Sequence, residues 1–185
     1  MIPRRAAHLA GAAFVCLVAG GAGVPEPDTY RMEAYRTPVP ATLEGVTVVG
    51  VDRAHALWEG GDTLFVDVLP RAPRPAGLPE GTIFRQKQRR SIPGAIWLVN
   101  VGYGRLAPPR DAYFRDALAE ATGGDPAHSV LFFCLADCWM SWNAAKRARE
   151  EYGYTRVYWF PEGTDAWEFM GHPLAPLEPE EVGGS

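Results

Sequence analysis

From about residue 46 onward, the apolar positions of the chain alternate between two periods. VTVVGV (46–51) and TLFVDVLP (63–70) are continuous branched and apolar runs, as expected of strands covered on both faces. Between them, DRAHALWEGG puts Ala54, Leu57 and Trp58 on one helical side. Asp52 is the expected N-cap, and Gly60 and Gly61 close the helix. IPGAIWLVNV is partly extended, and PRDAYFRDALAEATGG predicts a helix with Tyr113, Phe114, Leu118 and Ala121 on one side. A strand SVLFFC, a helix SWNAAKRAREEYG, a strand RVYWF and a turn-rich end complete the pattern. Strands alternating with helices predict an α/β fold with a mainly parallel central sheet flanked by helices. Sites in such sheets form beyond the carboxyl ends of strands.

Three stretches break the pattern. Residues 24–45 are punctuated by proline and read as an extended arm lying on the domain at 46–177. Residues 70–91 predict a long irregular insertion carrying the basic run FRQKQRR, and 178–185 a flexible tail. Residues 1–23 read as a secretory signal: Arg4 and Arg5 precede a run without charge, and small residues at Gly20 to Gly23 offer cleavage sites. The expected location is therefore periplasmic, with no membrane partner once the leader is removed.

Loss of the leader's two arginines takes the formal charge from −4 to −6, which disfavours a nucleic-acid partner. Loss of Cys16 leaves Cys134 and Cys138, four apart, in an oxidising compartment. A cysteine between a buried strand and a helix start is a workable nucleophile, because free helix amides favour a thiolate and cradle anions. The bland alternative is an inert buried thiol. Cys138 is either a small hydrophobe in the first turn or a partner that resolves a sulfenic acid or persulfide on Cys134, or forms a reducible disulfide with it. A disulfide requires the intervening residues to form a loop, since helical i,i+4 spacing leaves the Cβ atoms about 5–6 Å apart. A metal site is not expected, because His55, His128 and His172 supply no four-ligand set with the cysteines. No cofactor ligand is recognisable.

The stretches FVDV, SIPGAI, the strand-ending cysteine, NAAKRA and EGTDAWEFMGHPL resemble, in order and spacing, the single-domain rhodanese family over about residues 45–175. CLADCWMSWNAAKRA, VDVLPRAPRPAGLP, RRSIPGAIWL and YWFPEGTDAW are similar to an exported subgroup named for a CXXCW motif and associated with pyrroloquinoline-quinone-dependent alcohol catabolism. The resemblance implies a sulfur-accepting Cys134, with the backbone of Leu135, Ala136, Asp137, Trp139 and Met140 forming the cradle. Asp67 takes the acidic strand-end position, and Trp167 and Gly171 fall in the structural tail.

The chain departs from that pattern inside the loop. Where the family commonly carries a glycine and an arginine, this sequence has Asp137 and Trp139 or Met140, and a carboxylate there opposes dianionic donors. Asp137 alternatively caps the following helix. Arg85, Lys87, Arg89 and Arg90 are candidate contacts that restore positive charge at a pocket mouth, or else a solvated loop. Trp139 and Trp142 share a helix side and either wall a pocket, dock a partner, or pack. Trp97, Trp159 and Trp167 read as packing.

The expected function is sulfur transfer through a Cys134 persulfide, from a sulfane-sulfur donor to a thiol acceptor, with Cys138 assisting release. The alternatives are a thiol–disulfide role for Cys134 and Cys138, or a non-catalytic accessory module for a periplasmic quinoprotein dehydrogenase or its cytochrome.

Overall fold

A computed structural model describes residues 23–181. All but the last residue of the expected leader, Cys16 included, lies outside the described residues. The central sheet has five strands: β1 (Thr47–Val48), β2 (Thr63–Asp67), β4 (Ile96–Trp97), β5 (Ser129–Phe133) and β6 (Val157–Phe160). Their order is β1-β6-β5-β2-β4, and every pairing is parallel. The short strands β3 (Arg89–Ser91) and β7 (Ala175–Leu177) form a separate antiparallel pair.

Among the described residues four helices cover the sheet: α1 (Val51–Gly60), α2 (Pro108–Thr122), α3 (Trp139–Glu150) and α4 (Gly163–Phe169). All five residues of β5 are buried, and its side chains alternate between two cores. Val130 and Phe132 join Phe114 and Leu118 of α2 and Trp142 and Ala145 of α3. Leu131 and Phe133 face Ala54 of α1 and Trp167 of α4. A strand buried on both faces has no polar positions to alternate with, so its sequence is a continuous apolar run.

Two helix starts differ from expectation. The N-cap of α1 is Gly50, and Asp52 lies in the first turn, where its carboxylate faces the positive end of the helix dipole. Helix α3 begins at Trp139, two residues before the expected Ser141, with Cys138 as its N-cap and no side-chain cap bond. It starts early because residues far away in sequence hold its first turn.

Those residues belong to the 24–45 arm, which crosses the start of α3. Its backbone bridges to the loop before α3 through Arg36 and Cys138. The Arg31 amide donates to Asn143 Oδ1, and Asn143 Nδ2 donates back to the Arg31 carbonyl, each at 2.9 Å. The indole N–H of Trp142 donates to the Thr42 carbonyl. The insertion carries no helix and no strand between β2 and β3. Of the expected flexible tail, Pro179 and Glu180 run along β4, with the Glu180 amide donating to the Trp97 carbonyl at 2.9 Å. Residues 182–185 lie outside the described residues.

Candidate functional site

Strand β5 delivers Cys134 to the carboxyl edge of the sheet, between β2 and β6. The residue is fully buried, as is Cys138, and the two sulfurs are joined in a disulfide with their Cα atoms 6.3 Å apart. Residues 135–137 form the loop that permits this bond, ahead of the helix rather than inside it. Asp137 takes a left-handed backbone (φ 51°), which aspartate tolerates better than most residues.

Helix α4 holds the other side of the loop. Leu135 bridges to Gly163, and the Thr164 amide donates to the Cys134 carbonyl at 3.0 Å. A Cβ on Gly163 would collide with that carbonyl, and the residue also has φ 53°, so both position and conformation require glycine.

The expected amide cradle is already partly occupied. The Ala136 N–H donates to Asp165 Oδ2 at 3.1 Å, and the Trp139 N–H donates to the Tyr35 carbonyl at 2.9 Å. Asp137 is exposed and does not cap α3. Trp139 and Met140 are buried residues of the first helical turn, not members of the loop. Nor do Trp139 and Trp142 wall a pocket. Trp139 donates its indole N–H to Thr37 Oγ1 and the Pro38 carbonyl, at 3.1 and 3.2 Å, so both indoles are spent on the arm.

Asp67, in register with Phe133, is fully buried and anchors the base of the insertion. Its Oδ2 accepts from Arg89 Nε at 2.7 Å and Ser91 Oγ at 2.6 Å, and its Oδ1 accepts from the Leu69 amide at 2.9 Å. Burial pushes the Asp67 carboxyl above the usual carboxylate range, and Arg89, Ser91 and the Leu69 amide pull against that rise. Arg89 also donates to Thr164 Oγ1 at 3.2 Å, which links the ion pair to the backbone of Cys134.

A cavity of about 630 Å³ opens between the insertion and α4, and it meets the cysteine loop at Leu135. Arg71, Lys87, Arg89 and Arg90 line it from the insertion side, and Asp165 and Glu168 from α4. The structure thus brings Arg89 and Arg90 to the cavity and leaves Arg85 outside its lining, exposed. Arg89 is committed to Asp67. Thr164, Asp165 and Asn143 carry no chemical signature in the sequence, and their roles come from tertiary approach alone. Among the described residues no cluster of three or more His, Cys, Asp or Glu forms a metal site. His55 instead stacks on His172, with ring centroids 3.9 Å apart.

The thiosulfate sulfurtransferase from Pseudomonas aeruginosa superposes on 76% of this chain, with a TM-score of 0.50 at 17% identity. The fold is rhodanese-like. Two other solved structures align less closely. The polysulfide-sulfur transferase homodimer from Wolinella succinogenes is 18% identical over 76% of this chain and 85% of its own, with a TM-score of 0.45. EanB in complex with hercynine is 20% identical over 77% of this chain, with a TM-score of 0.49. The rhodanese-like domain spans only 22% of the Pseudomonas enzyme and 34% of EanB. No protein-family model matches the chain, and no curated protein matches its sequence.

Proposed function

We propose that the protein is a sulfurtransferase in which Cys134 accepts sulfane sulfur and Cys138 resolves the product. The observation that carries this reading is the bond between Cys134 and Cys138 at the strand-to-helix turn of a rhodanese-like fold. An external dithiol first reduces the disulfide and is itself oxidised. The Cys134 thiolate then attacks the sulfane sulfur of a donor R–S–SH; a Cys134 S–S bond forms, the R–S bond to that sulfur breaks, and RS⁻ leaves. An acceptor thiol takes the sulfur, or the Cys138 thiolate attacks Cys134 Sγ. In the second case HS⁻ departs and the observed disulfide returns. Leu135, Ala136 and Asp137 flank the reacting sulfur, and Thr164 fixes the Cys134 carbonyl.

The same proposal places the mature protein outside the cytoplasm, beside a quinoprotein alcohol dehydrogenase or its cytochrome. Support comes from the charge-free run after Arg5 and from the likeness of RRSIPGAIWL and YWFPEGTDAW to the CXXCW subgroup, while CLADCW departs from CXXCW by one extra residue between the cysteines.

A thiol–disulfide exchange role is the second reading, favoured by the fact that the two sulfurs are bonded. Sulfide release separates the two. Reduced protein given a polysulfide should liberate about one sulfide per chain, Cys138→Ser should retain the sulfur, and Cys134→Ser should do neither. Release of no sulfide and retention of no sulfur, alongside rapid oxidation of a partner dithiol, would replace sulfur transfer with the redox role.

A further inference from the structure

The cavity beside the loop is far larger than an inorganic sulfur anion requires. Its volume of about 630 Å³ falls in the range of sites for organic ligands, about 300–1,000 Å³. The walls include apolar surface from Phe84 and Trp97. Charge in it is divided by side. Arg71, Lys87 and Arg90 are exposed on the insertion and make no ion pair among the described residues. Asp165 and Glu168 face them from α4, next to the loop.

An inorganic dianion approaching Leu135 meets Asp165 there, and finds the Ala136 amide already bonded to that carboxylate. A zwitterion suits the site better. Its carboxylates match the insertion's cations, its ammonium matches the carboxylates of α4, and its sulfur lies toward the loop.

We propose that the cavity binds a zwitterionic, carboxylate-bearing organic persulfide of the amino-acid or small-peptide class, in preference to thiosulfate. This rests on the sulfurtransferase reading for its chemistry and on the cavity alone for its binding. The transfer step is R–S–SH plus the Cys134 thiolate giving the Cys134 persulfide and RS⁻, with no further oxidant or reductant.

The test uses glutathione derivatives as probes of that class. S-Methylglutathione should bind the wild-type protein, and its diethyl ester, which lacks both carboxylates, about tenfold more weakly. Arg71→Glu combined with Lys87→Glu, two exposed positions, should weaken S-methylglutathione by a similar factor. After reduction, glutathione persulfide should load Cys134 at least tenfold faster than thiosulfate at equal concentration. Equal binding of acid and ester by the wild-type protein would overturn the assignment without recourse to a variant. Equal loading from thiosulfate would overturn it too, while leaving sulfur transfer intact. Charge-dependent binding with no sulfur on Cys134 from either donor would uphold the ligand class and reject the sulfurtransferase reading.

Discussion

The amide of Trp139 donates to the carbonyl of Tyr35 at 2.9 Å across more than a hundred residues of chain. The first free N–H of α3 is thereby closed, and Cys138 lies directly beneath the arm that closes it. Trp139, Trp142 and Asn143 share this task, so the aromatic half of the CWMSWN stretch serves as a clamp for the arm. It is not a ligand wall.

Asn143 is the centre of the clamp, with Nδ2 also donating to the Gly102 carbonyl at 2.8 Å. Asn143→Ala removes three bonds and leaves buried backbone groups without partners. It should lower stability by about 3 kcal/mol, read by denaturant titration. The Cys134–Cys138 disulfide should also be reduced several-fold faster in this variant, read by timed thiol alkylation. Unchanged reduction kinetics would mean that the arm does not guard the disulfide.

Arg89→Ala leaves the Asp67 carboxylate buried without its cation, and the expected loss is about 3–5 kcal/mol. Asp67→Asn together with Arg89→Met removes the ion pair as a unit, so it should lose less than the single variant. Urea midpoints at constant slope measure both.

Gly163→Ala sets a Cβ against the Cys134 carbonyl at a left-handed backbone position. The loop or α4 must shift, at a loss of about 2–3 kcal/mol. The same change should alter near-UV circular dichroism from the neighbouring Trp167, which makes a local distortion visible even in a folded variant.

Burial and a hydrogen bond to Glu151 raise the Tyr30 phenol above its ordinary range, and burial and Asp111 raise that of Tyr152. An unfolded tyrosine releases its proton near pH 10 (about the model-peptide value), whereas the folded phenols keep theirs. Stability from these two groups is therefore whole below about pH 10 and declines as the pH rises above it. Tyr30→Phe with Tyr152→Phe should flatten that alkaline decline in thermal melts taken across pH 8–11.

Much of the fold was readable because its strands are covered on both faces. VLFF within β5 has no polar position, and the cysteine that follows it falls at the sheet's carboxyl edge. The alternation of strand and helix then implied the parallel sheet. The loop's surroundings were less readable. The start of α3 at Trp139 depends on an arm a hundred residues away, which no local period records. Asn143 stands in an ordinary helical stretch and is fully buried because the arm crosses it. Asp165 looks like any first-turn acid of a short helix, yet its carboxylate accepts from the loop. Arg89 and Arg90 were distinguishable from Arg85 only by the direction of the insertion.

In the proposed cycle Cys134 carries sulfur and Cys138 resolves it. Intact-mass measurement of reduced Cys138→Ser, before and after a polysulfide or glutathione persulfide, tests it most directly. The Cys138→Ser protein should gain one sulfur atom, mapped to Cys134 and absent when Cys134 is also replaced by serine. A reduced, folded Cys138→Ser protein whose mass never changes with either donor would contradict it.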